Sequence, residues 1–256
     1  MKKLFITATD TDAGKTFVSC ALAQALINTG KTVSAYKPIS AGCELINGQL
    51  VNEDALLLSQ VVNCSQTIQD INPLVFLEPI APHIAAQKQN KQIQISELIE
   101  NLHKVQSLKA DFTLVEGAGG WRLPLSLPKN LDDSLSDQQG TSIFLSDFVK
   151  TEQLDVILIV NMKLGCLNHA LLTYEAIKSD GVNCIAWVAN NANKVPMNNL
   201  SENIQALEQM LPIPKIAQLN YIADTDEQGK SLNYLDKIAL ASQNINLDVF
   251  SSDKCT

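Results

Sequence analysis

Apolar residues recur along the chain in short runs, separated by longer stretches whose apolar positions have helical spacing. Residues 4–7, 32–36, 112–115, 156–160, 184–189 and 215–219 form such runs. Their length and their lack of strict polar alternation predict strands buried on both faces. Between them, helices are predicted over 15–29, 53–62, 96–109, 141–150, 168–179 and 198–211. Strands and helices alternating in this way predict an α/β fold, a parallel sheet with helices on both faces. Ligands of such sheets sit at the carboxyl ends of the strands, so the residues just after each run become the candidates for chemistry. Residues 126–142 are polar and acidic, with Asp132, Asp133 and Asp137, and read as an extended loop. One domain is expected over 1–242, followed by a polar tail over 243–256.

Composition narrows the choice of function. The 256 residues, 46% of them hydrophobic, suffice for one domain with a substantial core. No apolar run reaches the roughly 18 residues that span a bilayer, so no membrane role is expected. The start, Met1-Lys2-Lys3-Leu4-Phe5-Ile6, turns polar at once and is not expected to be a secretory signal. Cys20, Cys43, Cys64, Cys166, Cys184 and Cys255 show no C-x-x-C spacing. That is the pattern of free thiols in a reducing cytoplasm rather than of a disulfide framework or a zinc site. The net charge is −8 without a Lys/Arg cluster, so no nucleic-acid partner is expected.

Gly14-Lys15-Thr16 lies where the first strand should turn into the first helix. Backbone N–H groups in such a turn meet phosphate oxygens, the lysine adds charge, and the threonine hydroxyl can hold Mg²⁺. The usual G-x-x-x-x-G-K-[ST] pattern would place its first glycine at Thr9, where it is absent. A bare Gly-Lys-Thr also occurs at ordinary helix starts, but the flanking strand and helix favour a nucleotide-phosphate site.

Other candidates follow strands. In Tyr36-Lys37-Pro38 the proline biases Lys37 toward an extended backbone, against the alternative of a solvated lysine. Asp54 begins a helical pattern, where an acidic residue also simply complements the helix dipole. Glu116 closes a buried strand and precedes Gly117-Ala118-Gly119-Gly120. A carboxylate there needs a partner, and Mg²⁺ is a natural one. Glycines after it allow close backbone approach to a ligand. Lys163-Leu164-Gly165-Cys166-Leu167-Asn168-His169 precedes a helix whose N–H groups suit an anion such as a carboxylate, with His169 read as structural. Asn190 ends a strand and reads equally as a base-edge contact or a turn residue.

Together these segments resemble the dethiobiotin synthetase family. The matching pieces are Thr9-Asp10-Thr11-Asp12-Ala13-Gly14-Lys15-Thr16, Tyr36-Lys37-Pro38, Asn52-Glu53-Asp54-Ala55 and Glu78-Pro79-Ile80-Ala81-Pro82-His83. They continue with Val115-Glu116-Gly117-Ala118-Gly119-Gly120, the stretch from Lys163 to Thr173, and Trp187-Val188-Ala189-Asn190. The resemblance implies a P-loop NTPase-like fold, a homodimer, and ring closure on 7,8-diaminopelargonic acid with CO₂ (or bicarbonate), ATP and Mg²⁺. It further implies catalytic roles for Lys37, Lys15 and Thr11, and metal contacts from Thr16, Asp54 and Glu116. Nucleotide contacts are implied for Asp12, Ala13, Gly14, Lys15, Thr16, Phe17, Asp54, Glu116, Gly117, Ala118, Gly119, Asn190 and Glu227. The substrate would meet Thr11, Lys37 and Ser40, and its carboxylate would meet Lys163, Leu164, Gly165, Cys166, Leu167 and Asn168 of a second subunit.

Several positions depart from the family pattern. Ala8 stands where the family has the loop glycine, Asp12 replaces Glu, and the hydroxyl expected at Ala41 is found at Ser40. Ala217 and Asn220 replace a Gly and a Pro. Two alternatives follow, a nucleotide-binding member with weak or altered activity and a partition-type ATPase switch. The second carries a signature lysine where this chain has Asp10.

Overall fold

The computed structural model describes residues 1–127, 142–226 and 228–251. In chain order the first half holds β1 (Lys2–Ala8), α1 (Lys15–Asn28), β2 (Val33–Tyr36), β3 (Ile39–Ser40), β4 (Glu44–Ile46), β5 (Gln49–Val51), α2 (Glu53–Val61), α3 (Ile68–Ile71), β6 (Leu74–Val75), α4 (Pro82–Lys88) and α5 (Ile95–Gln106). The second half holds β7 (Phe112–Glu116), β8 (Pro124–Ser126), β9 (Ile143–Phe144), α6 (Leu145–Thr151), β10 (Asp155–Asn161), α7 (Cys166–Ser179), β11 (Cys184–Asn191), α8 (Leu200–Met210), β12 (Lys215–Asn220), α9 (Tyr234–Ser242) and α10 (Asp248–Ser251).

Six of these strands form one parallel sheet in the order β12-β11-β10-β1-β7-β2. They are the six apolar runs, and each is apolar on both sides because helices cover both faces. Alternation along β1 divides the core. Phe5 faces Leu98, Leu102, Phe148 and Leu207 from α5, α6 and α8, while Leu4 and Ile6 join Leu22, Leu58 and Ile238 from α1, α2 and α9. In register, Ile6 lies beside Glu116, and Tyr36 beside Val115. The carboxyl ends of β1, β7 and β2 therefore meet at one edge of the sheet, and the residues that follow them share one space.

The expected elements shift in two places. The helix predicted from 141 starts at Leu145, because Ile143–Phe144 pair with β8. Residues 128–141, most of the expected long loop, lie outside the described residues. The segment read as a polar tail packs onto the sheet as far as Ser251. Ile245 bridges to Ala217, Asn246 N donates to Ile216 O at 2.7 Å, and Phe250 sits edge-on to Phe112 at 5.8 Å. Its few apolar residues find the uncovered end of the core near β7 and β12, which a reading of average polarity does not reveal.

Candidate active site

The loop from β1 to α1 is shaped by Gly14, which holds φ at 81° as the N-cap of α1. Ala8, the family's glycine position, is the last residue of β1 and fully buried. It is not among the residues with positive φ, so its methyl group brings no backbone strain. Lys15 is 7% exposed and donates Nζ to Thr11 O at 3.0 Å and to Asp10 O at 3.3 Å. Burial pushes its pKa down to about 8, with the Glu116 carboxylate opposing the shift.

Beyond the loop, Lys37 enters from the end of β2. Its backbone is held on both sides: Lys37 N donates to Ile71 O at 2.7 Å, and Asn72 Nδ2 donates to Lys37 O at 2.7 Å. Its Nζ lies 2.7 Å from Glu116 Oε1 and 2.8 Å from Asp54 Oδ2, and its side chain is 4% exposed. Burial alone would lower the lysine pKa, but Glu116 and Asp54 outweigh it and the net shift is upward. For Asp54 burial opposes ionisation, and Lys37 overcomes this to bring the carboxyl pKa down. Thr16 Oγ1 donates to Glu116 Oε1 at 2.9 Å, which closes a cluster of hydroxyl, two carboxylates and ammonium.

Glu116 Oε2 is buried without a hydrogen-bond partner among the described residues. Those residues contain no group of three or more His, Cys, Asp or Glu placed to hold a metal on their own. Two carboxylates, a hydroxyl and an orphaned oxygen fit a hard divalent cation that completes its shell with phosphate oxygens and water. Thr16, Asp54 and Glu116 are the residues able to hold it.

These groups open onto a cleft of about 790 Å³. Thr11, Asp12, Gly14, Lys15, Thr16 and Phe17 line one wall, and Lys37, Ser40, Asp54, Ala118 and Gly119 line the other. Ala13 and Gly117 are buried behind it. Gly117 also has a packing reason to be glycine: a Cβ there would press into the Phe5 ring at 2.8 Å. The turn after Gly119 is fastened to the far end of α7, where Trp121 Nε1 donates to Asp180 Oδ2 at 2.8 Å.

The remaining expected site residues take the following places. The Ser40 hydroxyl, read as a substrate contact, belongs to the cleft lining, is 2% exposed and donates to Asn72 Oδ1 at 2.6 Å, the same side chain that holds Lys37 O. The Asn190 amide, read as a base contact, donates one N–H to Ala13 O at 2.7 Å and keeps its second N–H and its Oδ1. Residues 163–168 lie outside this cleft. Leu164 is 92% exposed, and Lys163 pairs with Asp10. Glu227 lies outside the described residues. Three contributors had been missed: Asn72 behind Lys37, the turn Pro79-Ile80-Ala81-Pro82 in the cleft wall, and Tyr234, which packs edge-on to Phe17 at 6.0 Å. For Tyr234 a signal existed, since Asn233 and Asp236 form a capping box at the start of α9.

Comparison with known proteins agrees with this picture. The family model described as an AAA domain matches residues 2–229. The ATP-dependent dethiobiotin synthetase BioD of Alteromonas mediterranea is 45% identical over 243 residues, 93% of this chain and 100% of the relative. That of Pseudoalteromonas translucida is 42% identical, covering 94% of this chain and 99% of the relative. Among solved structures, the MinC:MinD cell division complex of Aquifex aeolicus matches with a TM-score of 0.54 at 13% identity, over 100% of this chain and 98% of that one. At that identity the likeness speaks to the fold alone, the P-loop α/β type. Similarity to the curated relatives runs through nearly every element described above, and the chain belongs to the ATP-dependent dethiobiotin synthetase family.

Proposed function

We propose that this chain closes the ureido ring of dethiobiotin from 7,8-diaminopelargonic acid, CO₂ and ATP, in biotin biosynthesis. The observation that carries this reading is the convergence of Lys15, Thr16, Lys37 and Asp54 on one cleft, with Glu116 buried behind them and bonded to Thr16 and Lys37, in a chain 45% identical to a dethiobiotin synthetase. One substrate amine adds CO₂ and loses a proton to become a carbamate. A carbamate oxygen takes the γ-phosphoryl group, and ADP leaves. The second amine then attacks the carbamoyl carbon, phosphate departs with the C–O electron pair, and the ring closes.

Phosphoryl transfer depends mostly on positioning and charge neutralisation. The N–H groups at the start of α1 and the Lys15 ammonium bind the phosphates. Lys37, fixed by Asn72 and Ile71 O, presents its charge where the carbamate and the phosphoryl group meet. Thr11 and Asp12 face the diamine and the nucleotide from the loop. Thr16, Asp54 and Glu116 would hold Mg²⁺, which would supply charge neutralisation to the nucleotide's phosphates. Residues 163–168, outside the lining of their own cleft and with Leu164 exposed, reach the cleft of a second copy in a homodimer, where the N-terminus of α7 receives the substrate carboxylate. The five free cysteines among the described residues suit a reducing cytoplasm.

Phosphate release from ATP should require diamine, bicarbonate and Mg²⁺ together. Release that is indifferent to the diamine would overturn the ring-closing reading and favour a nucleotide switch.

A further inference from the structure

Asn190, near the end of β11, is 3% exposed and donates its amide Nδ2 to Ala13 O at 2.7 Å. A Cβ on Gly14 would overlap that same nitrogen. The amide thus occupies the place a side chain at position 14 would fill, and glycine is what lets the two segments meet. The start of the loop is tied independently. Thr9 N donates to Ile159 O at 2.9 Å, Asn161 N donates to Thr9 Oγ1 at 3.1 Å, and Lys163 pairs with Asp10.

The Ala13 bond has a directional consequence. In a planar trans peptide the C=O and the following N–H point in opposite directions. Holding Ala13 C=O toward Asn190 turns the Gly14 N–H the other way, and Gly14 lines the cleft. A carbonyl facing the cleft would repel phosphate, whereas an N–H facing it attracts phosphate. From this we infer that Asn190 is a positioning residue of the phosphate loop, setting the 13–14 peptide so that the Gly14 N–H meets the nucleotide's phosphates. The inference rests on the nucleotide reading above. It is separate from a base-reading role and compatible with one, because the amide keeps a second N–H and its Oδ1 beside the bond to Ala13 O.

The test compares binding of ATP and of inorganic tripolyphosphate, which has no base, to the wild type and to Asn190→Leu, which keeps bulk but cannot donate. Asn190→Ser serves where the leucine variant does not fold. Tripolyphosphate binding should weaken about ten-fold for one lost hydrogen bond, and ATP binding by at least that factor. Amide hydrogen exchange at residues 13–16 of the ligand-free variant should also speed up. Weaker ATP binding with unchanged tripolyphosphate binding would reveal base reading and overturn the inference, as would unchanged binding of both or unchanged exchange in the loop. A wild-type protein that binds neither ligand would overturn the nucleotide reading itself, and the inference with it.

Discussion

Burying an ammonium costs several kcal/mol unless counter-charges meet it, and Lys37 meets two. Lys37 and Glu116 are 79 residues apart in the chain, so the pairing exists only once β2 and β7 lie side by side. The same holds for Ser40 and Asn72, 32 residues apart, whose hydrogen bond forms only once β3 and the segment after α3 lie side by side. Residue type and position after a strand pointed to Lys15, Lys37 and Glu116, whereas Asp54 was singled out only by the family resemblance. Side-chain partners were not legible, because a hydrogen bond depends on neighbours that only folding supplies. If Lys37 stabilises the transferring phosphoryl group, Lys37→Ala should lower kcat by about 10²–10³ while ATP affinity changes only a few-fold. Steady-state kinetics beside equilibrium ATP binding checks this, and equal losses in both would remove Lys37 from the chemistry. The variant also strands Glu116 as a buried charge, so its urea midpoint should fall by an amount worth about 3 kcal/mol.

Among elements, the six long strands were legible because burial on both faces leaves an apolar run with little else to become. The two-stranded ladders β3–β6, β4–β5 and β8–β9 were not, since two or three residues carry no periodicity. Strand starts are set by side chains as well. Thr32 N and Oγ1 donate to Asp111 Oδ2 at 2.8 and 2.9 Å, and Asp111 N donates to Thr32 Oγ1 at 2.8 Å, which locks the entries to β2 and β7 together. These bonds, the Thr32 backbone first, hold the Asp111 pKa below its ordinary 3.8. Its ionised form is favoured by folding, so the stability it adds is present above pH 3.8 and is lost as pH falls through the lower folded value. Asp111→Asn should therefore melt below the wild type at neutral pH, and the gap should close in acid. Thermal melts of both proteins across that range decide it, and a gap independent of pH would assign the effect to geometry rather than charge.

For the whole molecule, closure of the core involves residues far from the cleft. Phe250 is 7% exposed and stacks edge-on against Phe112, the first residue of β7. Phe250→Ala should cost about 3 kcal/mol, read by chemical denaturation, with the diamine-dependent activity retained below the melting temperature. A change within 0.5 kcal/mol would mean that this segment lies loosely on the surface, as surface substitutions do. The proposed homodimer makes a sharper prediction. Lys37→Ala and Lys163→Ala protomers, each impaired alone, should regain activity when mixed and allowed to exchange, because one site of the heterodimer would then be intact. No recovery would place Lys163 outside the partner's cleft.

What the sequence determined by itself was the alternation of buried strands and helices, the phosphate loop after β1, and the charged residues at strand ends. Those follow from local periodicity and from residue types whose chemistry is the same wherever they stand. Tertiary structure alone decided which charge faces which. It put Lys37 between Glu116 and Asp54, laid Asn190 over Gly14 and folded the supposed tail onto β12. The sheet order carries β2 past β1 to pair with β7, and contacts between such distant segments are set by that order rather than by any pattern along the chain.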